Sequence, residues 1–300
     1  MKLATVRDGA VAVEGDVAYP LPVSVSELVA VGLPRALEIV DRARSGRPVP
    51  FAMEDLLLPF RPAAIRDFVT FESHVEGVRR SVDNATGVPE AWYDAPTFYF
   101  TNPHALYGPG QQVPRPLTCR ALDFELEVGV VVGAGGTSLS EGEADAGIFG
   151  YTIFNDWSAR DLQSREMQVG LGPAKGKDFA SSIGPWIVTA DELAPYRRAD
   201  GHLDLDCWVA VNGELVGQDR LSNMNWTFAE MIAYASRDSL VVPGDLLASG
   251  TTGGGGCLAE LWGRSGTQTP PPLEPGDVVT MEVAGIGTLT SSVMVPRRLP

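Results

Sequence analysis

The chain has 300 residues, 44% of them hydrophobic, and its 38 acids against 23 bases give a formal net charge of −15 at pH 7. That apolar share supports a sizeable core, in one large domain or a large one with a small companion, and excludes wholesale disorder. The acidity and the lack of a basic run exclude nucleic acid and an anionic membrane surface as partners, leaving a small molecule.

The first residues, MKLATVRDGA, lack the apolar core of a signal peptide, and no apolar run approaches spanning length, so a cytoplasmic protein is expected. Residues 1 to about 20 alternate apolar and polar around Asp8-Gly9 and Gly15-Asp16, which predicts hairpins. Ser24-Val25-Ser26-Glu27 has capping-box form and opens a helix ending near Gly32. Pro34 suits the first turn of a second helix, which Leu37, Val40 and Arg44 continue and Gly46 with Pro48 stops. These elements form a small α+β unit over 1–62, closed by a Pro-punctuated, extended linker from Val49 to Pro62.

Residues 63–300 form the main domain. Ile65 to His74 predicts a short helix, followed as far as Pro116 by a loop-rich segment with an aromatic patch at Trp92, Tyr93, Phe98, Tyr99 and Phe100. Next comes a strand over Leu122–Val132. Alternation puts Leu122, Phe124, Leu126, Val128, Val130 and Val132 on a core face and Asp123, Glu125 and Glu127 on the other. Glu125 and Glu127 lie roughly 7 Å apart by strand rise, close enough to share one hard cation. The bland alternative is an edge strand with a solvated acidic face.

Ile153 to Gln163 predicts a buried strand ending in Asn155-Asp156, with a helix opening at Trp157 or Ser158. Asp156 is then either a third oxygen ligand or a helix N-cap. Arg160, Gln163 and Met167 share a face of that helix, and a guanidinium near a cation suits an anionic, oxygen-rich ligand. Leu171 and Asp178 stand where a Walker A loop needs Gly and Ser or Thr, and Ser138 where a dinucleotide fingerprint needs its third Gly, so neither motif is present. The C-terminal third alternates short strands and turns, with Pro243-Gly244-Asp245 and Pro275-Gly276-Asp277 each introducing a strand. Cys119, Cys207 and Cys257 have no paired spacing and are expected to be buried thiols. The fold class is β-rich α+β with a mixed sheet.

Four stretches in order carry a family likeness: Leu122–Glu127 (LDFELE), Asn155–Asp161 (NDWSARD), Gly176–Trp186 (GKDFASSIGPW) and Ala248–Thr251 (ASGT). From about Arg66 onward the chain resembles the fumarylacetoacetate hydrolase family, metal-dependent enzymes that cleave carbon–carbon bonds in β-dicarbonyl acids. The resemblance implies a mixed β-sheet roll or barrel and a homodimer. It implies that Glu125, Glu127 and Asp156 bind a divalent metal, Mg²⁺ with Mn²⁺ or Ca²⁺ as alternatives. It places Lys177 and Ser181 beside that metal, and Tyr99, Arg160, Gln163 and Thr251 against a small-molecule keto acid substrate.

Family members activate water with a histidine–carboxylate pair, which matches His74 and Glu260. His104 is the rival base, and Glu72 and Glu76 are rival partners for His74. An ungapped comparison puts Thr70 at the family's fourth acidic ligand, where water is expected to coordinate. Glu72 and Met167 replace tyrosines, which argues against fumarylacetoacetate itself as the substrate. The expected reaction is hydrolysis of an acylpyruvate-like diketo acid, with Lys177 and Ser181 at the oxyanion. The alternatives are a β-keto acid decarboxylase, a 2-keto acid isomerase or hydratase, or a non-catalytic metal- or ligand-binding protein.

Overall fold

The computed structural model describes residues 1–83 and 85–296. At its centre is an eleven-stranded sheet. Across it run Val49–Pro50, Val17–Pro20, Gly9–Glu14, Lys2–Val6, Ser181–Thr189, Ile148–Asp156, Leu126–Val132, Leu246–Ala248, Ile65–Phe68 and Phe98–Thr101, with Leu106–Tyr107 added to the Ser181–Thr189 strand. The two outer strands do not pair with each other, so the sheet is an open roll and not a closed barrel. A second sheet of five strands orders Glu214–Arg220, Asp206–Val211, Val278–Val283, Gly287–Met294 and Gln112–Pro114.

The hairpins form where expected, with Gly15 at φ +58° in its turn, a conformation glycine adopts without steric cost. Helices Val25–Ala30 and Leu33–Arg44 follow, and Ser24 closes a complete capping box with Glu27. Lys2 and Leu3 then pair with Val188 and Ile187, so residues 1–62 continue the same sheet as the rest of the chain. The Val49–Pro62 linker is zipped to that sheet: Val49–Pro50 pairs with Val17–Ala18, and Leu57 N donates to Thr5 O at 2.9 Å.

Both faces of the central strands are covered. Leu28, Val29, Ala36 and Val40 of the N-terminal helices pack with Val131, Phe154 and Ile183. Val128, Val130 and Ile153 face the other way, toward Val209, Met281 and Leu289 of the five-stranded sheet and Met231 of helix Phe228–Ser236. Each such large side chain contributes about 1.5–3 kcal/mol by burial. Double coverage also explains why Val130-Val131-Val132 is apolar without alternation.

Three local expectations are corrected. Ile65–Phe68 is a strand, and the helix begins only at Glu72. Its hydrogen bonds to Leu246–Ala248 and Phe98–Thr101 override the local pattern. Leu122–Val132 is not one strand: Leu122–Asp123 pairs with Ser158–Ala159, strand pairing breaks at Phe124-Glu125, and Leu126–Val132 then joins the main sheet. Its acidic side is buried, not solvated. The helix after Asp156 starts at Arg160, so Asp156 is not its cap.

Candidate active site

The site forms where several strand ends meet. Ile148–Asp156 terminates in Asp156, and Asp67 is the third residue of Ile65–Phe68, cross-strand from Tyr99. Glu125 stands in the break just before Leu126–Val132, Glu127 is the second residue of that strand, and one oxygen of each reaches the same cluster. The turn after Leu246–Ala248 brings Gly250 N to Glu127 Oε2 at 3.1 Å and Thr251 Oγ1 to Oε1 at 3.3 Å. Gly250 has φ +80°, and a Cβ there would stand 2.5 Å from Phe68 O, so this close turn requires glycine.

Asp67, Glu125, Glu127 and Asp156 are all buried. One oxygen each from Asp67, Glu125 and Glu127 lies within 4.8 Å of the other two, the spacing that ligands of one hard cation require. Lys177, only 3% exposed, sets its ammonium between Glu125 Oε2 and Asp156 Oδ2, the latter at 2.6 Å. The Tyr99 hydroxyl meets Asp67 Oδ2 at 2.9 Å and also Asp156 Oδ2, although its single proton can serve only one of them. Asp67 Oδ1 and Asp156 Oδ1 are buried without a hydrogen-bond partner.

Burial, then the neighbouring carboxylates, pushes Asp67 and Glu127 well above the ordinary carboxyl range. Burial also raises Asp156, with Lys177 opposing it. Burial would raise Glu125 as well, but Arg160 and Lys177 outweigh it and hold the group low. An all-oxygen cluster with surplus negative charge and orphaned oxygens fits a divalent cation, with Asp67, Glu125 and Glu127 the residues to hold it. Asp156 stands outside that triplet, beside Lys177 and Tyr99.

His74 lies on helix Glu72–Val78, buried, and faces the cluster with Nε2 3.9 Å from Glu125 Oε1. Its Nδ1 is 4.0 Å from Glu260 Oε2 and 3.7 Å from Cys257 Sγ. The approach depends on small residues: a Cβ on Gly77 would fall 2.5 Å from Glu260 Cγ, and one on Gly263 1.9 Å from Gly77 O. Burial lowers His74 to about 3 with Glu125 opposing, and raises Glu260 to about 7 with Arg264 opposing. The rivals lie elsewhere. His104 is exposed, Glu72 binds the Tyr93 hydroxyl and Glu76 binds Arg80.

Arg160 is buried and turned inward, Nε to Asp123 Oδ2 at 2.8 Å, one terminal nitrogen to Glu125 Oε1 at 2.7 Å and the other to Gln163 Oε1 at 3.0 Å. Asp123 also accepts from Leu258 N and Ala259 N, the first turn of the helix that carries Glu260. A carboxylate suits that end of a helix.

A cavity of about 520 Å³ opens onto this cluster. Tyr99, Arg160, Gln163 and Thr251 line it, as do His74, Lys177 and three of the acids. Ser181 does not; it pairs with Asp156 across the sheet. Sequence reasoning missed Asp67, placing the fourth acidic position at Thr70, whose hydroxyl binds Ser249 O. The available signal was Asp67 between apolar Ile65 and Phe68, legible once the segment is read as a strand. It also missed the role of Asp123, for which spacing carries no signal.

Comparison with known proteins adds three findings. The family model described as fumarylacetoacetate (FAA) hydrolase C-terminal matches residues 63–294. Fumarylacetoacetase of Oryza sativa subsp. japonica is 29% identical over 308 residues, covering 82% of this chain and 71% of that protein; the Bos taurus enzyme is 32% identical over 253 residues, covering 67% and 60%. The solved structure of 5-carboxymethyl-2-hydroxymuconate delta-isomerase from Mycobacterium smegmatis superposes with TM-score 0.70 at 27% identity, covering 99% of this chain and 100% of that one.

Proposed function

The chain belongs to the fumarylacetoacetate hydrolase family, whose members include hydrolases and isomerases and are generally divalent-metal dependent, and on that premise we propose that it hydrolyses a carbon–carbon bond in an acylpyruvate-like β-dicarbonyl acid. The observation that carries this reading is His74 on the cavity wall. At neutral pH its imidazole is neutral, whereas Lys177 and Tyr99 keep their protons. Burial opposes the charge on Lys177, but Asp156 and Glu125 outweigh it and raise the group; burial, then Asp156, raises Tyr99. Of these three, only His74 accepts a proton.

A divalent cation, Mg²⁺ in this proposal, supplies Lewis-acid polarisation of the dicarbonyl oxygens when bound by Asp67, Glu125 and Glu127. His74 takes a proton from water, and the hydroxide adds to the acyl carbonyl carbon. Glu260 faces Nδ1 and steadies the imidazolium. Lys177, whose third N–H is left over by Glu125 and Asp156, donates to the developing oxyanion, a well-placed donor contributing about 3 kcal/mol. The C–C bond then breaks. Its electron pair goes to the pyruvyl fragment as an enolate, which takes the proton back from His74, giving one carboxylic acid and one 2-oxo acid.

The M. smegmatis likeness supports a second reading, in which the same base moves a proton between a carbon and the enol oxygen of a 2-oxo acid without attack by water. Incubation of acetylpyruvate with the protein and Mg²⁺, followed by NMR, separates the readings. Acetate with pyruvate supports hydrolysis, and keto–enol exchange of an intact acid supports isomerisation. CO2 release from oxaloacetate under the same conditions supports decarboxylation, and no turnover of any diketo or keto acid supports a binding protein. The homodimer belongs to the same proposal, and a monomeric mass by light scattering contradicts it.

A further inference from the structure

The cavity is chemically divided. The carboxylate cluster, Lys177, Arg160, Gln163 and Thr251 are buried, whereas the apolar lining residues Val78, Val82, Phe98 and Met167 keep part of their surface exposed and so stand nearer the mouth, the outer wall of the cavity. Four basic side chains line it among the described residues: His74, Arg79, Arg160 and Lys177. His74 faces Glu125 and Glu260, and Arg160 and Lys177 are taken up by Asp123, Glu125 and Asp156. Arg79 donates from one terminal nitrogen to Thr86 O at 3.3 Å and Gly87 O at 2.5 Å. A second carboxylate on the substrate would leave water for an apolar wall where, among the described residues, Arg79 is the one cation without a carboxylate partner, and it is already held by two backbone carbonyls, so the transfer is costly. A hydrocarbon tail there gains from burial instead.

We infer that the outer cavity is an apolar tail subsite, so that the substrate carries its 2-oxo acid head at the metal end and an uncharged aliphatic or aryl group at the other. The head rests on the function proposed above; the tail rests on the outer wall alone.

Calorimetry with the Mg²⁺-loaded protein tests the tail without requiring any bond to break. The probes are pyruvate, 2-oxohexanoate and the equally long dicarboxylate 2-oxoadipate. Affinity for 2-oxohexanoate is expected to exceed that for pyruvate by up to about fourfold per buried methylene, and to exceed that for 2-oxoadipate at least tenfold. Equal or tighter binding of 2-oxoadipate overturns the inference. Met167→Arg changes a half-exposed wall residue that the fold tolerates, and it is expected to shift the ratio toward 2-oxoadipate at least tenfold; an unmoved ratio overturns it too. Arg79→Met is expected to leave the ratio within twofold, and a collapse of 2-oxoadipate binding would identify Arg79 as a carboxylate receptor and refute the apolar assignment. Tail preference without release of two acids means that the hydrolytic proposal fails and the subsite stands. Hydrolysis without tail preference means the reverse.

Discussion

Asp123, Glu125 and Glu127 are spaced alike along the chain, yet the structure gives Asp123 and Glu127 opposite jobs, and one pair of substitutions separates them. Asp123 is fully buried and accepts from Phe124 N, Leu258 N and Ala259 N and from Arg160 Nε, all within 3.0 Å. Asp123→Asn preserves the shape, removes the charge that Arg160 pairs with, and turns an NH2 toward donors. Breaking a buried charge pair costs about 3–5 kcal/mol, and the loss at the helix N-terminus adds up to about 2 kcal/mol.

Glu127 sits among like charges and is already pushed toward its protonated form. In Glu127→Gln the repulsion disappears while the oxygen facing Gly250 N and Thr251 can remain. Two unit charges about 4 Å apart at an effective dielectric of about 20 repel by about 4 kcal/mol, so the metal-free variant is expected to be at least as stable as the parent. Its affinity for a divalent cation is expected to fall at least a hundredfold, about 2.7 kcal/mol. Urea denaturation of chelator-treated protein reads the first quantity, and calorimetry with Mg²⁺ or Mn²⁺ reads the second. The reasoning is refuted if Asp123→Asn keeps its denaturation midpoint but loses metal, or if Glu127→Gln unfolds early but binds metal normally.

Three further outcomes are expected. His74→Ala lowers kcat by about 10²–10⁴ with metal affinity unchanged within threefold; turnover near the parent rate in steady-state assays would move the base elsewhere. Glu260, raised from 4.5 to about 7, binds its proton more tightly in the folded than in the unfolded chain, so its contribution to stability falls as pH rises from 4.5 to about 7 and is flat above. That loss is on the order of 3 kcal/mol, and Glu260→Gln should remove it, so urea midpoints of parent and variant diverge more at pH 8 than at pH 5; equal gaps count against it. Gly77→Ala drives a methyl into Glu260 Cγ, costs about 1–3 kcal/mol by overpacking and separates His74 from Glu260; an unaltered melting curve and kcat would contradict the close helix approach.

Much of the local structure was legible because it depends on neighbours in the chain. The capping box at Ser24–Glu27, the Pro34 helix start and the turns at Asp8-Gly9 and Gly15-Asp16 are satisfied within a few residues. Ile65–Phe68 was misread because its strand state comes from Leu246–Ala248 and Phe98–Thr101, partners far away in the chain. The break at Phe124-Glu125 is likewise imposed from outside, where Asn155 Oδ1 accepts from Glu125 N and Ser158–Ala159 pairs with Leu122–Asp123.

What the sequence by itself determined was the family, the acidic run, the isolated Asp156 and the choice of His74 over other histidines as candidate base. Side-chain chemistry and short spacing carry that information. Only the tertiary structure decided that Asp67 completes the oxygen cluster, that Asp123 holds a helix and an arginine, and that Lys177 and Tyr99 flank Asp156. Which carboxylate meets a cation and which meets an amide depends on the strand ends that converge on it. That convergence is fixed by long-range pairing and two-sided packing of the central sheet, which no local pattern encodes.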